Sequence, residues 1–186
     1  MATYDDPRIL RAVAHPTRNR ILSELSAAGT LRAVDIALRL DVPANQASFH
    51  LRQLAKYGLV EEAPDEARDR RDRVWRLADT EGISFRTKEM LEQPGGEAAW
   101  AVFQRNAVAW GHHLVDLALE RGSDDAPHKS VSEYAVRLTS EESDELLREV
   151  NDLVESWRRR TQGGTDDGRI TYSVYQLIQP YPGPEA

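Results

Sequence analysis

The chain has 186 residues, 40% of them hydrophobic and 30% charged, a composition typical of a globular protein with one substantial core or two small ones. It contains no cysteine and no apolar run near the roughly 18 residues of a membrane span, which excludes disulfides, thiolate metal sites and a spanning helix. The net charge of −7 is uneven: residues 1–77 hold 13 Lys/Arg against 11 Asp/Glu, whereas residues 78–186 hold 11 against 20, so only the second half should be repelled by phosphates.

The first helices are marked by prolines and a glycine. Asp6-Pro7 predicts a helix start, with Asp6 as the N-cap and Pro7 in the first turn. The His15-Pro16 step predicts a break, because the residue before proline is pushed out of the helical region. A second helix should follow and end at Gly29, a common C-terminal stop.

A helix-turn-helix is expected next. Thr30 is expected to cap a helix over "LRAVDIALRL" with Leu31, Val34, Ala37 and Leu38 directed inward. Only "DVP" separates this helix from the next, and a turn so short between two helices predicts a helix-turn-helix. Asp41 occupies the turn position that often holds glycine, and Asp tolerates the left-handed conformation better than most residues.

The helix over residues 44–57 has two different faces. Ala47, Leu51 and Leu54 share a face suited to burial, and His50 falls toward it, which favours a packed histidine. The outward face carries a set of polar, aromatic and basic side chains, namely Asn45, Phe49, Arg52 and Lys56. Phe49 could alternatively cover a neighbouring helix, and exposed cations are often only solvated surface.

A charged hairpin follows the helices. "LVEEA" and "RVWRL" alternate like short strands around the polar loop "PDEARDRRD", whose tip carries several arginines. Helices, a helix-turn-helix and such a hairpin together predict a winged helix-turn-helix. Winged helices also occur as protein-interaction modules, so the fold alone does not settle the function.

The segments "HPTRNRILSEL" and "DIALRLDVPANQASFHLRQLAKYGLVEE", with the Arg-rich hairpin, resemble the DNA-binding domain of ArsR-type transcriptional regulators over about residues 5–78. The resemblance implies a homodimer that binds double-stranded operator DNA and usually represses. It also implies that Ser48 contacts phosphate or a base edge.

Side-chain chemistry suggests a role for each outward residue. Asn and Gln can bond bidentately to adenine, so Asn45 and Gln46, with Phe49 one turn later, are candidate base readers. Phosphate contacts set register without reading sequence, and the residues assigned to them are Arg52, Lys56 and, on the wing, Arg70 and Arg71.

The second half opens with a short helix over 84–90 and then the most regular apolar spacing in the chain, over residues 97–121. Steps of three and four connect Trp100, Phe103, Ala107, Trp110, Leu114 and Leu117. This seam predicts a partner helix, either from a second subunit or from the same chain.

A strand–helix–strand unit is predicted at the C-terminal end. "EYAVRL" and "RITYSVYQLI" alternate like strands, and Thr139 and Glu142 form a capping box at the start of the helix between them. Arg158, Arg159 and Arg160 fit the end of that helix better than a DNA patch. The aromatic and apolar side chains of this half could line a dimer interface, an ordinary core or a pocket for a small-molecule effector. They are Trp157 and the seam residues Trp100, Phe103, Trp110 and Leu114.

Metal sensing is the sharper alternative. His113 and Asp116 could share a metal at helical spacing, with His112 and Glu120 nearby. Zinc generally needs three or four protein ligands, so a partner helix would have to supply the others. Two adjacent histidines on an exposed helix face are more often ordinary surface residues. No cofactor is expected. No phosphate-binding glycine loop or activated nucleophile is visible, so the chain is not expected to be an enzyme.

The sequence therefore predicts a mainly α fold with a β-hairpin wing: a winged helix-turn-helix domain over 5–78, then a helical and small α/β region over 79–186 for dimerisation and effector sensing. The expected function is a dimeric DNA-binding regulator. Since the start "MATYDDPRIL" shows no secretory signal, we expect it in the cytoplasm, without membrane contact. A winged-helix module that binds protein is the competing interpretation.

Overall fold

The structure is a computed structural model that describes residues 2–67, 73–80, 83–122, 126–163, 168–181 and 183. The chain divides into two compact units, Met1–Ala109 with Thr161–Thr171 and Trp110–Arg160 with Tyr172–Ala186. Within the described residues, no helix has both the length and the hydropathy of a membrane span.

The helices of the first unit begin and end where local signals predict. Asp6 accepts a hydrogen bond from the Arg8 N–H, Pro7 occupies the first turn, and Gly29 ends the second helix at φ 86°. The helices of this unit are α1 (Pro7–Val13), α2 (Pro16–Ala28), α3 (Ala33–Leu40), α4 (Ala44–Lys56), α5 (Thr87–Glu92) and the first part of α6 (Gly96–Leu119).

A three-stranded antiparallel sheet accompanies these helices. Its strands β2 (Thr30–Arg32), β4 (Val74–Leu77) and β3 (Val60–Glu62) lie in the order β2–β4–β3. The predicted hairpin is therefore confirmed as β3–β4. A separate parallel pair joins β1 (Ala2–Tyr4) to β5 (Ile83–Phe85).

The predicted start of the third helix is wrong. Thr30 does not cap a helix but begins β2, in which Leu31 pairs with Trp75 and is buried. Because α3 begins at Ala33, its inward side chains are Ile36, Ala37 and Leu40. Val34 and Leu38, which were expected inside, are 54% and 83% exposed.

The core of the first unit is formed by aliphatic side chains from every helix of the domain. Those that are fully buried are Leu10, Ile21, Leu25, Ile36, Leu51, Leu54 and Met90. Each such side chain contributes about 1.5–3 kcal/mol relative to leaving it exposed, so this core holds the helix-turn-helix in place.

The second unit contains the later part of α6 and α7 (Ser140–Thr161). The predicted capping box is present: the Thr139 N–H donates to Glu142 and the Glu142 N–H donates to the Thr139 hydroxyl. The predicted strands beside α7 are not formed. Residues 131–138 and 170–178 lie outside any strand, because no described segment pairs with them.

The predicted helix over 84–90 is displaced, since β5 occupies its beginning and α5 follows at Thr87. The architecture is otherwise the predicted one: mainly α, with a winged helix-turn-helix domain and a β-hairpin wing. The helical part of the C-terminal half is confirmed, and its α/β character is corrected.

Candidate nucleic-acid interface

The inner face of α4 is fixed in the core. Ala47, Leu51 and Leu54 are fully buried, and His50 is 4% exposed, as the helical spacing predicted. With this row packed against the other helices, α4 cannot rotate about its axis without exposing it. The orientation of the opposite face is therefore set by the core.

The outer face of α4 presents the predicted candidates to solvent. Asn45, Gln46, Arg52 and Lys56 are exposed, and Phe49 is 49% exposed. Ser48 is half-buried at the edge of this face. Residues 45, 49, 52 and 56 are three or four apart, so they form one row along the helix.

The first turn of α4 has free hydrogen-bonding groups. Its N-cap, Pro43, makes no side-chain cap, and the Gln46 N–H donates to the Asn45 side-chain oxygen over 2.9 Å. That bond leaves the Asn45 amide N–H₂ and the whole Gln46 amide available at the surface. A helix N-terminus also carries partial positive charge, which suits a nearby phosphate.

The basic side chains of α4 are not neutralised by neighbours. Within the described residues, neither Arg52 nor Lys56 forms an ion pair. Arg39 of α3, by contrast, contacts Glu24 at 3.0 Å. Arg52 and Lys56 can therefore meet an external anion without first breaking an internal contact.

The turn between α3 and α4 sets the angle at which α4 is presented. Asp41 has φ 53° and ψ 54°, the left-handed conformation that was expected at this position. The N–H of Val42 closes the turn by donating to the Ala37 carbonyl over 3.0 Å. The Asp41 N–H also donates to the Leu38 carbonyl over 3.4 Å, so the turn is held by one left-handed residue and backbone hydrogen bonds to the end of α3.

Two histidines are in contact at the buried face of α4. The rings of His15 and His50 are 4.6 Å apart, and the Nδ1 atom of each is buried without a hydrogen-bond partner among the described residues. Burial is the main cause that lowers the pKa of both imidazoles, and the positive charge of Arg18 lowers both further. The lowered pKa favours the neutral form of both imidazoles.

The sequence did not predict that His15 contacts α4, nor the role of Arg18. The Arg18 guanidinium donates to the carbonyls of Ala12 and Arg11, at 2.5 and 2.8 Å. These bonds tie the end of α1 to α2. The only available signal was the His15-Pro16 break, which placed His15 at a helix junction.

The described part of the wing is rich in ion pairs. Arg76 contacts Glu61 at 2.8 Å and Asp65 at 3.2 Å, and Arg73 lies 3.7 Å from Glu62. These two arginines already form ion pairs with carboxylates of the same hairpin. The predicted phosphate contacts Arg70 and Arg71 lie outside the described residues, and their roles stay predictions.

The residues of the predicted α6 seam fall in both units. Trp100 and Phe103 pack within the first unit, where Phe103 lies 5.7 Å from Phe85, ring centre to ring centre. For these two side chains the intramolecular alternative holds. Trp110 and Leu114 belong to the second unit, in which Trp110 lies 5.5 Å from the ring of His113.

The remaining candidates in the second unit are largely open to solvent. Trp157 is 54% exposed, with the Arg160 guanidinium 4.1 Å from its ring centre. Exposed His113 and Asp116 belong to no group of three or more metal-ligating side chains within the described residues. The structure therefore brings together the α4 candidates but leaves the C-terminal ones dispersed.

A comparison with known protein families matches the segment of the chain that contains α4. Residues 13–63 match the sequence profile of a helix-turn-helix domain, a range that contains α2, α3 and α4. No curated protein sequence matches this chain.

Several solved structures align with this chain at low similarity. The YusO protein from Bacillus subtilis is 15% identical over 80% of this chain and 79% of its own, with a TM-score of 0.36. A MarR mutant from E. coli is 16% identical over 79% and 86%, with a TM-score of 0.35. The transcriptional regulator Tm0710 from Thermotoga maritima is 16% identical over 84% and 85%, with a TM-score of 0.32. At such low TM-scores, these similarities support no statement about function.

Proposed function

We propose that this protein is a DNA-binding transcriptional regulator that places α4 in the major groove and the β3–β4 wing beside it. The observation that carries the proposal is the exposed polar and basic row of α4, on a helix whose other face is fully buried. A major groove about 12 Å wide admits one α-helix, and amide side chains can read adenine there.

The roles along α4 follow from position. Asn45 and Gln46 lie in the first turn, the part of a recognition helix that usually reaches base edges, and Phe49 can touch a thymine methyl group. Arg52 and Lys56 bind phosphates, because they are long, cationic and free of internal ion pairs within the described residues. Ser48, at the edge of the face, contacts phosphate or a base edge.

The regulator is proposed to be a cytoplasmic homodimer of the ArsR type that acts as a repressor. Two-fold symmetry then requires a pseudo-palindromic operator with half-sites about one helical turn, or a multiple of it, apart. Because this function needs binding alone, no catalytic residue is assigned. Arg70 and Arg71 are proposed to add phosphate contacts from the wing.

Release from DNA is proposed to follow binding of a small apolar effector at the aromatic side chains of the second unit, Trp157 and Trp110 among them. Tryptophan fluorescence and operator affinity, measured against a panel of metabolites, test this step. Unchanged signals throughout would contradict effector binding. Calorimetry with zinc on the wild type and on His113→Ala tests the metal alternative, which requires zinc binding by the wild type and none by the variant.

Selection of duplex DNA from a random library tests the proposal on the full-length protein. The wild type should enrich a pseudo-palindrome. Asn45→Ala with Gln46→Ala should flatten the sequence preference at the corresponding base pairs, by about 1–3 kcal/mol for each bidentate hydrogen-bonded pair that the substitutions remove. Gln104→Ala, the same type of change at an exposed position of α6, is the matched control and should leave the preference unchanged.

The competing function is a winged-helix module that binds protein. The ion-paired wing residues Arg73 and Arg76 favour it, since they have no charge to spare for phosphate. Under that function, the random library yields no enriched sequence, and the regulator proposal is contradicted.

A further inference from the structure

One face of α7 is apolar along the length of the helix and is only partly covered, since Leu146 and Val150 are half-buried and the other members are exposed. This α7 stripe consists of Leu146, Leu147, Val150, Leu153, Val154 and Trp157. Leu153 is 59% exposed and Trp157 is 54% exposed, and no member of the stripe is buried. Its spacing of three and four residues is that of a helix that packs along a partner helix.

The second unit as a whole has no buried apolar side chain among its described residues. Instead, Tyr134 is 86% exposed, Tyr172 61% and Tyr181 80%. At about 200 Å² for an aromatic side chain, these three and Trp157 expose on the order of 500 Å².

The α7 stripe is symmetric about Val150. Leu146 and Leu147 lie four and three residues before it, and Val154 and Leu153 lie four and three residues after it. Seven residues away, Ser143 on one side corresponds to Trp157 on the other. A two-fold axis at Val150 would therefore oppose aliphatic to aliphatic side chains and place a small residue against the indole, as close packing requires.

The charges at the ends of α7 determine the direction of such pairing. Glu141 and Glu142 lie in the first turn, whereas Arg158, Arg159 and Arg160 lie in the last, which stays net positive although Arg158 and Arg159 both pair with Glu155. Two parallel copies would bring like charges together at both ends. Two antiparallel copies oppose the acidic end of each to the basic end of the other, and they oppose the helix dipoles as well.

We propose that α7 packs antiparallel against α7 of a second copy of this chain, with the two-fold axis near Val150. The inference rests on the proposed dimeric regulator and specifies the surface through which its C-terminal units associate. A second copy fits better than a lipid surface, because the acidic first turn would be repelled by anionic headgroups. The α7 stripe and the end charges of one copy also match the same stripe and charges of a second, antiparallel copy.

Cysteine cross-linking tests this arrangement cleanly, because the chain has no cysteine of its own. Under mild oxidation of the full-length protein, Val150→Cys should form a disulfide dimer, since antiparallel pairing brings the two positions within the roughly 4.4–6.8 Å Cα separation of a disulfide. Asp152→Cys, on the opposite face, is the matched control and should stay monomeric under denaturing conditions.

The direction of pairing needs a second pair of variants. Leu147→Cys alone should not cross-link, because position 147 opposes position 153 of the other copy, whereas Leu147→Cys combined with Leu153→Cys should cross-link. Cross-linking by Leu147→Cys alone would indicate parallel helices and overturn the inference. The absence of any cross-link through Val150→Cys would overturn it too.

Sedimentation equilibrium separates this inference from the proposed function. Leu153→Arg should raise the dimer dissociation constant at least about 100-fold, because the symmetric interface loses the side chain twice. Asp152→Arg, which places the same side chain on the opposite face, should leave the constant unchanged. Circular dichroism confirms folding, which the exposed position of Leu153 should not disturb.

The outcomes are distinguishable. A dimer that Leu153→Arg does not weaken would overturn the α7 interface while leaving a dimeric regulator in place. A wild-type chain that stays monomeric at high concentration would overturn both the interface and the proposed dimer. DNA selection tests the regulator independently of either result.

Discussion

Leu51 and Arg52 are adjacent in sequence but lie on opposite faces of α4. Alanine at position 51 should therefore lower the stability of the fold, whereas alanine at position 52 should weaken DNA binding. Leu51 is 0% exposed, and Leu51→Ala removes a fully buried branch from the core. Such a change costs about 2–5 kcal/mol, a large part of the roughly 5–15 kcal/mol that stabilises a typical domain. The melting temperature should fall on the order of 10 °C.

Arg52→Ala should leave the fold almost unchanged. Arg52 is exposed and has no ion pair within the described residues, so its loss should alter the free energy of unfolding by less than about 0.5 kcal/mol. The substitution should instead weaken DNA binding and reduce its salt dependence. Each protein–phosphate contact contributes about 0.9 to the slope of log K against log salt concentration, and a homodimer loses two such contacts, so the slope of the variant should be smaller by roughly 1.8.

Two measurements on the same protein samples separate the effects. Urea denaturation followed by far-UV circular dichroism gives the free energy of unfolding, and fluorescence anisotropy at several salt concentrations gives the slope. The two-faced account of α4 would be refuted by Arg52→Ala destabilising the fold by more than about 1.5 kcal/mol with an unchanged slope. An unchanged stability in Leu51→Ala would refute it equally.

Three further predictions concern local features. Asp41→Gly should stabilise the protein by up to about 1 kcal/mol in thermal denaturation, because glycine adopts the left-handed conformation without strain; destabilisation would count against a strained turn. Burial lowers the pKa of His15 and His50 in the folded state, so the unfolded chain binds more protons and the unfolding free energy should fall as pH drops below about 6.5; His50→Gln should weaken that dependence more than His128→Gln does. Thr139→Ala should destabilise α7 by about 0.5–2 kcal/mol in urea denaturation through loss of the capping box, and no change would contradict the cap.

Local chemistry explains what the sequence could predict. The helix start at Asp6-Pro7, the break at His15-Pro16 and the cap at Thr139 depend on neighbours a few residues away, so the pattern alone predicted them. The two faces of α4 were predictable for the same reason, because helical periodicity fixes which residues share a side. The sequence therefore predicted the recognition-helix candidates and their exposure.

Pairing between distant segments explains what the sequence could not predict. Thr30 is a good N-cap residue, but pairing of Thr30–Arg32 with β4, more than 40 residues later, makes it the start of a strand. The division of the α6 seam between the two units also depends on packing with distant residues, since Phe103 packs against Phe85 in the first unit. Residues 133–138 and 169–178 carry a strand pattern, yet a strand needs a partner, and none of the described segments provides one.

The contact between α4 and the major groove can be tested most directly by cross-linking to DNA. Since the chain has no cysteine, Gln46→Cys can be offered a selected operator whose half-site carries a base with a thiol tether in the major groove. The account predicts a disulfide between protein and DNA for Gln46→Cys and none for Glu92→Cys, an exposed control on α5. Equal cross-linking by both variants, or none by Gln46→Cys on an operator that it still binds, would contradict the placement of α4 in the groove.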